Sequence, residues 1–531
     1  MKTIFSSMLL LLSLMATASN PQVKTLNGIL EGIEESGIKI FKGIPFAAPP
    51  TGENRWKAPQ PVANWKGTRN AHNFGPNPMQ EPVFGDMMFS TKEMSEDCLY
   101  LNIWTPSTEQ NAKLPVFIYF NGGGLYAGSG SEPRYAGLEY AKNGVVAITA
   151  NYREGIFGFF AHPELTAESE YNGSGNYGFM DQAAAIKWVK DNIDAFGGDP
   201  ERITIMGESA GSMSVSALMA SPLSKNLIAQ AMGSSGSVLS QNKWLTLKDA
   251  EAIGIKQAKA IGCNSIEKLR KMPAEELMKK AKVRGVPVYN IDNCFMPEQP
   301  LEIFAKGEQA QVPCLIGNNS AEMGVGMFTM GKSISLENLA PAIEYWFKQP
   351  ADTIFKIYNI NNNHDLLKIQ GYELAGDMFI SYSTWKWTNM QAKSEQPVFR
   401  YRYCHPRPIM KDETKESGLA GGVKKKDANS KHEPQIPGAV HSADIEYQMG
   451  TLSTNHVFAW NETDYKVSKI FMSYFLNFIK TGNPNGNGLP KWNAINGQEY
   501  APVMLIDANP RIEINKDMEN RYKFIDRIFF K

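Results

Sequence analysis

The tightest constraint on the fold is a Gly-x-Ser-x-Gly segment at residues 207–211, placed between a strand pattern and a helix pattern. Residues 202–206 are mostly apolar and β-branched, which predicts a buried strand, and residues 210–219 predict a helix. A strand that becomes a helix within one residue strains that residue, and Gly207 and Gly211 must be small so that the two elements do not collide. The segment therefore predicts that the Ser209 hydroxyl is held at the carboxyl end of a sheet, at the positive end of a helix.

Strand and helix patterns alternate along much of the chain. The strand patterns cover residues 116–120, 145–151, 202–206 and 312–317, and a helix pattern covers residues 182–193. This alternation is typical of an α/β fold, with a mostly parallel central sheet and helices on both faces. Outside it, residues 25–32 predict a hairpin, and residues 250–260 and 274–281 predict amphipathic helices.

The N-terminal residues predict a secretory signal. Lys2 provides a positive start, residues 8–15 are apolar, and Ala16-Thr17-Ala18 is a small-x-small cleavage site. We therefore expect residues 1–18 to be removed and residues 19–531 to form one domain. The apolar stretch is too short to span a bilayer, and no nearby cysteine could carry a lipid. The chain is expected to be exported, periplasmic or secreted, without a stable membrane anchor; a buried N-terminal helix is the alternative.

The charges and the cysteines argue against several classes of protein. Among the 531 residues, Lys plus Arg and Asp plus Glu number 54 each, so no long-range field favours nucleic acid. The five cysteines are sparse and odd in number for an exported protein, so at least one must be free or paired between chains. Their spacing matches no metal motif. We expect no metal site, and a fold held together mainly by its core.

A serine hydroxyl becomes a good nucleophile only when a base takes its proton and a third group orients that base. In a sheet of this kind, the order along the chain should be serine, acid, histidine. Five histidines follow Ser209, at positions 364, 405, 432, 441 and 456. His441 is the preferred base, because small residues precede it and an acidic helix start follows, which places it on a loop. The others suit surface positions or structural hydrogen bonds.

The acid and the oxyanion donors are expected at the ends of other strands. Glu322 follows the predicted strand at 312–317, where an orienting carboxylate belongs, although a glutamate at the start of a helix would give the same pattern. Three glycines at 122–124 let backbone N–H groups approach a ligand without side chains in the way. A tight turn is the alternative for these glycines. A nucleotide-binding loop is disfavoured, because no Gly-Lys-Ser/Thr or Gly-x-Gly-x-x-Gly pattern accompanies them.

Residues 411–433 depart from the alternating pattern. They are polar, contain glycine and carry three consecutive lysines at 424–426. Four acidic residues at 412, 413, 416 and 427 dilute the basic run. The segment therefore predicts a long solvated excursion, with a functional polybasic patch as the alternative.

Taken in order, short segments from about residue 24 to about residue 510 resemble the type-B carboxylesterase (cholinesterase-like) family of α/β-hydrolases. Glu322 before Gly324, and His441, belong to this set. The other matching segments are Phe-Lys-Gly-Ile-Pro at 41–45, Ser-Glu-Asp-Cys-Leu-Tyr-Leu-Asn-Ile-Trp at 95–104, Gly-Gly-Gly at 122–124, Asn-Tyr-Arg at 151–153, Gly-Asn-Tyr-Gly-Phe-Met-Asp-Gln at 175–182, Phe-Gly-Gly-Asp-Pro at 196–200, Ser-Gly at 235–236 and Thr-Gly-Asn-Pro-Asn at 481–485.

The resemblance implies an α/β-hydrolase fold and a serine carboxylic-ester hydrolase that works through an acyl-enzyme. It implies no metal and no organic cofactor. The expected partner is a small-molecule or carbohydrate-linked carboxylic ester. Two alternatives stay open: an esterase that removes acetyl or feruloyl groups from polysaccharides, and a non-catalytic cholinesterase-like binding module.

The resemblance also implies a role for particular residues. Ser209 would be the nucleophile, Glu322 the acid and His441 the base. The oxyanion hole would consist of the backbone N–H groups of Gly123, Gly124 and Ala210. Together these residues predict that the ester carbonyl is attacked beside the glycine-rich loop.

The chain also departs from the family pattern. Asn121 stands where members often carry His or Tyr beside the oxyanion loop. Cys98 lacks its usual upstream partner, with Pro78 at the corresponding place, and Cys263 lacks its usual neighbour, with Lys268 there instead. These losses suggest a bacterial, periplasmic or secreted member, and they predict that the usual disulfides are missing.

Overall fold

One large sheet organises the molecule. The computed structural model describes residues 20–530 except 85–86, 282–287, 413, 420–422 and 427–435, and within these residues one sheet has 11 strands. Across the sheet the strands follow the order Arg511–Glu513, Val503–Ile506, Val398–Tyr403, Cys314–Asn319, Gln230–Ser234, Gly198–Glu208, Leu114–Phe120, Val146–Ala150, Tyr100–Thr105, Ile38–Pro45 and Ile33–Glu35. The strands from Val503–Ile506 to Val146–Ala150 are parallel, and the outer ones are antiparallel.

Both faces of the parallel strands are covered. In the strand Leu114–Phe120, Ile118 and Phe120 point into one hydrophobic core, whereas Phe117 and Tyr119 point into a second core on the opposite face. Successive side chains of a strand alternate between faces, so a strand buried on both sides is apolar throughout. This explains why the sequence pattern there is a continuous apolar run, and it confirms the predicted α/β architecture.

α-Helices connect the strands and cover both faces of the sheet. Helix Ala210–Ala220 packs into the first core and helix Glu462–Thr481 into the second. In chain order the α-helices are Leu138–Lys142, Gly155–Gly158, Pro163–Glu168, Tyr177–Asn192, Ala210–Ala220, Leu247–Ile261, Ile266–Lys271, Ala274–Ala281, Pro300–Lys306, Leu336–Phe347, Ala351–Ile357, Ile369–Gly376, Tyr382–Gln391, Ile445–Met449, Glu462–Thr481 and Lys516–Phe529. A π-helical turn, Asp377–Ser381, joins the two helices on either side of it.

Smaller pieces complete the described structure. The predicted N-terminal hairpin is present, with Gln22–Lys24 antiparallel to Ile29–Glu31 and Thr68–Asn70 added beside it. Asn77–Pro78 pairs with Met94–Ser95. Single 3₁₀ turns are found at Gly52–Asn54, Gln110–Ala112, Pro133–Tyr135, Ile193–Phe196, Lys225–Leu227, Val325–Phe328, Asp365–Leu367 and Leu452–Thr454.

The predicted elements are present, but several bounds move. The strand predicted at 202–206 is Gly198–Glu208, and the helix predicted at 182–193 is Tyr177–Asn192. That helix begins earlier than expected because Tyr177 and Phe179 pack into the first core, which outweighs the turn-forming glycines around them. The predicted signal at 1–18 lies outside the described residues. Within the described ranges, no helix has the length and apolar character needed to cross a membrane.

The prediction that 411–433 is a solvated excursion is wrong in part. Lys415–Ser417 and Val423–Lys425 pair as a short antiparallel hairpin. Between these strands Gly418 is buried, and Leu419 packs against a third hydrophobic cluster. The Leu419 carbonyl accepts a hydrogen bond of 3.3 Å from the Ser442 hydroxyl. The polar composition of the segment did not indicate this contact, because the contact depends on Leu419, an apolar residue within a charged run.

Candidate active site

Ser209 occupies the turn between strand Gly198–Glu208 and helix Ala210–Ala220. Its backbone has φ 56° and ψ −123°, a conformation that strains a residue with a side chain. A methyl group added at Gly207 would lie 2.4 Å from the carbonyl carbon of Gly211, and one added at Gly211 would lie 2.1 Å from the carbonyl oxygen of Phe120. Strand and helix therefore meet closely only because both residues are glycine, as the sequence predicted.

Three predicted residues from distant parts of the chain are joined by hydrogen bonds. Nε2 of His441 is 2.9 Å from Oγ of Ser209, and Nδ1 is 2.7 Å from Oε2 of Glu322. His441 is 4% exposed and Glu322 is 3% exposed, so little water competes for these bonds. In this arrangement the imidazole is placed to accept the serine proton while the carboxylate orients the ring.

Glu322 is fixed by the ends of neighbouring strands. Its Oε1 accepts hydrogen bonds from the backbone N–H of Asn319 and from the hydroxyl of Ser235, both at 2.6 Å. Because Oε1 has two donors, Oε2 is left to face the imidazole. The alternative that Glu322 starts a helix is wrong, since the next helical turn begins only at Val325–Phe328.

Negative charge surrounds the imidazole of His441. Burial by itself would lower the pKa of His441, but Glu208 and Glu322 outweigh burial and raise it to about 9. Oε1 of Glu208 lies 3.4 Å from Nε2 of His441 and accepts a 2.9 Å hydrogen bond from the Ser442 hydroxyl. Burial raises the pKa of Glu208, and burial with the nearby carboxylates raises that of Asp444 to about 7. An imidazolium formed at His441 is therefore stabilised by neighbouring carboxylates.

The glycine-rich loop lies directly beside Ser209. A methyl group added at Gly122 would be 3.0 Å from Cβ of Ser209. Gly123 has φ +110°, and a methyl group there would be 1.7 Å from the carbonyl oxygen of Ala127, so only glycine fits. Within the described part of the chain, no backbone or side-chain acceptor binds the N–H groups of Gly123 and Gly124.

The third predicted donor also faces the site. Ala210 is the first residue of helix Ala210–Ala220, so its N–H has no partner inside the helix. Like the glycines of the loop, Ala210 lines the cavity above Ser209. The structure thus brings all three predicted oxyanion donors, Gly123, Gly124 and Ala210, to one cavity.

That cavity has a volume of about 320 Å³. The π-helical turn Asp377–Ser381 contributes Phe379 to its wall, and the Phe379 ring meets the His441 ring edge-on with centroids 5.0 Å apart. π-Helical turns are rare and often lie at functional sites. The other large apolar or aromatic side chains of the wall belong to Phe84, Met87, Tyr126, Tyr135, Met213, Tyr289, Trp346, Met378, Ile380, Tyr382 and Leu419.

The remaining histidines lie elsewhere. His364 and His456 are exposed, and His405 is 2.8 Å from Asp464, whereas His432 lies outside the described residues. Sequence patterns did not indicate the contacts that Glu208 and Ser235 make in the site. Glu208 directly precedes Ser209 in the motif, so its position in the sequence could have indicated that it lies near the site. The contact of Ser235 with Glu322 becomes evident only when the strands are assembled into the sheet.

No bond between cysteines is present. All five cysteines are within the described residues, and each is unpaired. Across the described ranges, no group of three or more His, Cys, Asp and Glu side chains is arranged to hold a metal ion.

Comparison with known proteins gives consistent matches over nearly the whole chain. The family model described as "Carboxylesterase family" matches residues 19–525. Para-nitrobenzyl esterase of Bacillus subtilis (strain 168) is 32% identical over 94% of this chain and 98% of its own length. The medium-chain fatty acyl-CoA hydrolase precursor of Anas platyrhynchos is 33% identical, covering 90% and 87%. Fumonisin B1 esterase of Sphingopyxis macrogoltabida is 38% identical, covering 71% and 70%.

Solved structures agree with the sequence relatives. A carboxylesterase of Geobacillus stearothermophilus superposes with a TM-score of 0.79 at 29% identity, covering 95% of this chain and 99% of the other. A structure of PNB esterase gives a TM-score of 0.76 at 29% identity, covering 96% and 100%. With the central sheet, the turn at Ser209 and these matches together, the chain belongs to the carboxylesterase family of α/β-hydrolases and is a serine carboxylesterase.

Proposed function

We propose that Ser209 is the nucleophile of ester hydrolysis, with His441 as its base and Glu322 as the acid that orients the base. Oγ of Ser209 attacks the ester carbonyl carbon while Nε2 of His441 takes the hydroxyl proton. The carbonyl oxygen becomes an oxyanion, which accepts hydrogen bonds from the N–H groups of the oxyanion hole. Glu322 stabilises the imidazolium through Nδ1, as the 2.7 Å separation supports.

Collapse of the tetrahedral intermediate breaks the bond to the alcohol. The imidazolium returns its proton to the leaving oxygen, so that the alcohol departs and an acyl group stays on Oγ of Ser209. Water then enters, His441 takes a proton from it, and the hydroxide attacks the acyl carbon. The acid leaves, Oγ regains the proton, and the site returns to its starting state.

The observation that carries this proposal is the unbroken line of hydrogen bonds from Ser209 through His441 to Glu322. A non-catalytic binding module would have no need of a strained serine, an oriented base and free N–H donors in one cavity. The line therefore supports an enzyme rather than a binding module.

For the substrate, we propose a small, uncharged carboxylic ester with apolar groups. The cavity is lined mainly by aromatic and aliphatic side chains, and no described Lys or Arg lines it. Such a wall suits apolar acyl or alcohol groups and offers no counter-charge to an anionic one. The name of the para-nitrobenzyl esterase relative contains an uncharged aromatic alcohol group, which fits such an ester.

Replacement of the nucleophile tests the mechanism. Ser209→Ala should lower kcat by about 10⁶-fold, because only binding and the oxyanion hole remain to assist water. Circular dichroism and melting curves check that the variant stays folded. An organophosphonate probe should label the wild type at Ser209 and leave the variant unlabelled. A folded alanine variant with substantial activity, or labelling at another residue, would overturn the assignment.

We also propose that the protein is exported. The charged start, the apolar stretch at 8–15 and the small residues at 16–18 support removal of residues 1–18 as a signal, which leaves residues 19–531 as the hydrolase domain. Expression of the full chain, followed by N-terminal sequencing, should give a mature protein that begins with Ser19. Recovery of intact residues 1–18 on the active protein would contradict this proposal.

A further inference from the structure

Two buried polar side chains lie behind the glycine-rich loop, where they do not reach the cavity. Asn121 follows the strand Leu114–Phe120, and Glu154 lies just beyond the neighbouring parallel strand Val146–Ala150. Both are 1% exposed. Burying a polar group in this way is costly unless it is hydrogen-bonded, so the contacts of the two side chains are informative.

Asn121 binds both neighbouring elements. Its side-chain Nδ2 donates to Oε1 of Glu154 at 3.2 Å and to the backbone carbonyl oxygen of Gly122 at 3.0 Å. The backbone carbonyl oxygen of Asn121 accepts a hydrogen bond from the Tyr152 hydroxyl at 2.9 Å. A methyl group at Gly128 would lie only 1.8 Å from Nδ2 of Asn121. The Asn121 amide is therefore packed between Gly122 and Gly128, the first and last residues of the glycine-rich loop at 122–128.

The loop is held at two further points. The carbonyl oxygen of Leu125, in the middle of the loop, accepts a 2.8 Å bond from the N–H of Gly155, the residue after Glu154. Gln80 binds Gly128 reciprocally, with its amide donating to the Gly128 carbonyl at 2.8 Å and accepting from the Gly128 N–H at 2.9 Å. The loop whose glycines line the cavity is thus held by residues that do not line it.

The buried position of Glu154 favours its uncharged form. Burial raises the pKa of Glu154 well above its ordinary value, although the bonds from Asn121 and Tyr152 oppose this. Within the described residues, no salt bridge compensates its charge. A neutral carboxylic acid is also the form that a glutamine would imitate, which gives a conservative variant for the experiment.

We propose that the Asn121–Glu154 pair is a positioning device for the oxyanion hole, which fixes the glycine-rich loop so that its N–H groups meet the developing oxyanion. The proposal rests on the proposed roles of Gly123 and Gly124. Neither Asn121 nor Glu154 touches the substrate; both act through the loop. Because the oxyanion exists only in the transition state and the intermediates beside it, loosening the loop lowers kcat far more than it changes KM.

Three variants and one control test this pair. Glu154→Leu and Asn121→Ala remove the contact from either side, and Glu154→Gln keeps a neutral group that accepts from Asn121. The matched control is Thr105→Val, which removes a fully buried hydroxyl that lies 2.7 Å from the Ser107 carbonyl oxygen and 2.8 Å from the Phe196 carbonyl oxygen, in a strand apart from the site. Each variant is assayed for kcat, KM, melting temperature and inhibition by a trifluoromethyl ketone, which forms a tetrahedral adduct with serine and places an oxyanion in the hole.

Glu154→Leu and Asn121→Ala should lower kcat by about 10-fold to 100-fold, as expected for a displaced rather than a deleted oxyanion donor. KM should change little, and the inhibition constant of the ketone should rise in parallel with the loss of kcat/KM. Glu154→Gln should restore most of kcat. Thr105→Val should lower the melting temperature and leave kcat unchanged.

A purely structural role gives a different result. In that case Glu154→Leu and Asn121→Ala lower the melting temperature as Thr105→Val does but keep kcat per folded molecule, and the proposal is then wrong. If one of the two removal variants fails to fold, the other decides. If a folded Ser209→Ala variant kept substantial activity, the proposed nucleophile would be wrong. That result does not depend on Asn121 or Glu154, so the two failures are distinguishable.

Discussion

The imidazole of His441 has a carboxylate near each of its nitrogens. Oε2 of Glu322 is 2.7 Å from Nδ1, and Oε1 of Glu208 is 3.4 Å from Nε2, the nitrogen that also faces Ser209. Burial opposes a charge on the ring, but the two carboxylates outweigh it and raise the pKa of His441 to about 9. A base acts only when neutral, so a raised pKa strengthens the base and moves the acid limb of the pH profile upward.

Removing the charge of Glu322 tests this balance. Glu322→Gln keeps the shape of the side chain, but kcat should fall by about 10³–10⁴-fold, because the amide no longer stabilises the imidazolium or its tautomer. The acid limb of the residual kcat/KM should lie at lower pH than in the wild type, since losing a neighbouring carboxylate lowers the pKa of His441. Near-normal kcat in a folded Glu322→Gln protein would remove Glu322 from the proposed triad.

Glu208→Gln is the matched comparison for that experiment. It also removes a carboxylate near the imidazole but leaves the bond between Glu322 and Nδ1 in place. The acid limb should again move to lower pH, with a smaller loss of kcat than in Glu322→Gln. An unchanged acid limb would show that Glu208 carries no charge when His441 titrates.

Among the elements, the turn between strand Gly198–Glu208 and helix Ala210–Ala220 has the least room. Gly211→Ala would place a methyl group 2.1 Å from the carbonyl oxygen of Phe120, so strand and helix must move apart. Overpacking of this kind costs about 1–3 kcal/mol, and it should lower both the melting temperature and kcat, because Ser209 lies inside the same turn.

Gly326→Ala controls for the loss of a glycine. Gly326 is exposed, and the nearest atom to a methyl group there is 3.6 Å away. The melting temperature and kcat of the Gly326→Ala variant should therefore stay close to those of the wild type. If Gly211→Ala also matched the wild type in both measurements, strand and helix would not be in the tight contact described here.

The same turn shows what sequence predicts well. Gly207, Ser209 and Gly211 specify a local geometry, so both the turn and the position of the hydroxyl follow from a few adjacent residues. The strand before it was predicted too short, because its first residues are polar and the pairing with the next strand shifts register between Gly198 and Ile203. Local sequence patterns do not show which residues of two neighbouring strands are paired.

Contacts between elements were harder to predict. Asn121 and Glu154 meet only because Phe120 and Ala150 are paired at the ends of neighbouring parallel strands. The charged neighbours of Leu419 predict that its side chain is exposed to solvent, whereas it packs against the third hydrophobic cluster. In both cases the deciding interaction joins residues that are distant in sequence, and the sheet must be assembled before it becomes evident.

At the scale of the whole molecule, buried and partly buried ion pairs connect the site to the C-terminal helix Lys516–Phe529. Arg402 donates to the carbonyl of Ser320, two residues before Glu322, and pairs with Glu373. Arg521 of that helix pairs with Glu373 on one side and with Asp377, at the start of the π-helical turn, on the other. The loop that carries the acid and the turn that walls the cavity are thus attached to the same helix.

The fold is held together without disulfide bonds. All five cysteines are unpaired, and Cys98 and Cys314 are fully buried in the first core, where burial raises the pKa of both thiols. Reductant should therefore leave the melting temperature and kcat unchanged. Loss of a structural disulfide would instead cost about 2–5 kcal/mol, which a melting curve would reveal. Titration of the unfolded chain with a thiol reagent, without reduction, should find all 5 cysteines free. Fewer free thiols, together with a melting temperature that falls in reductant, would show that a disulfide between two of these cysteines supports the fold.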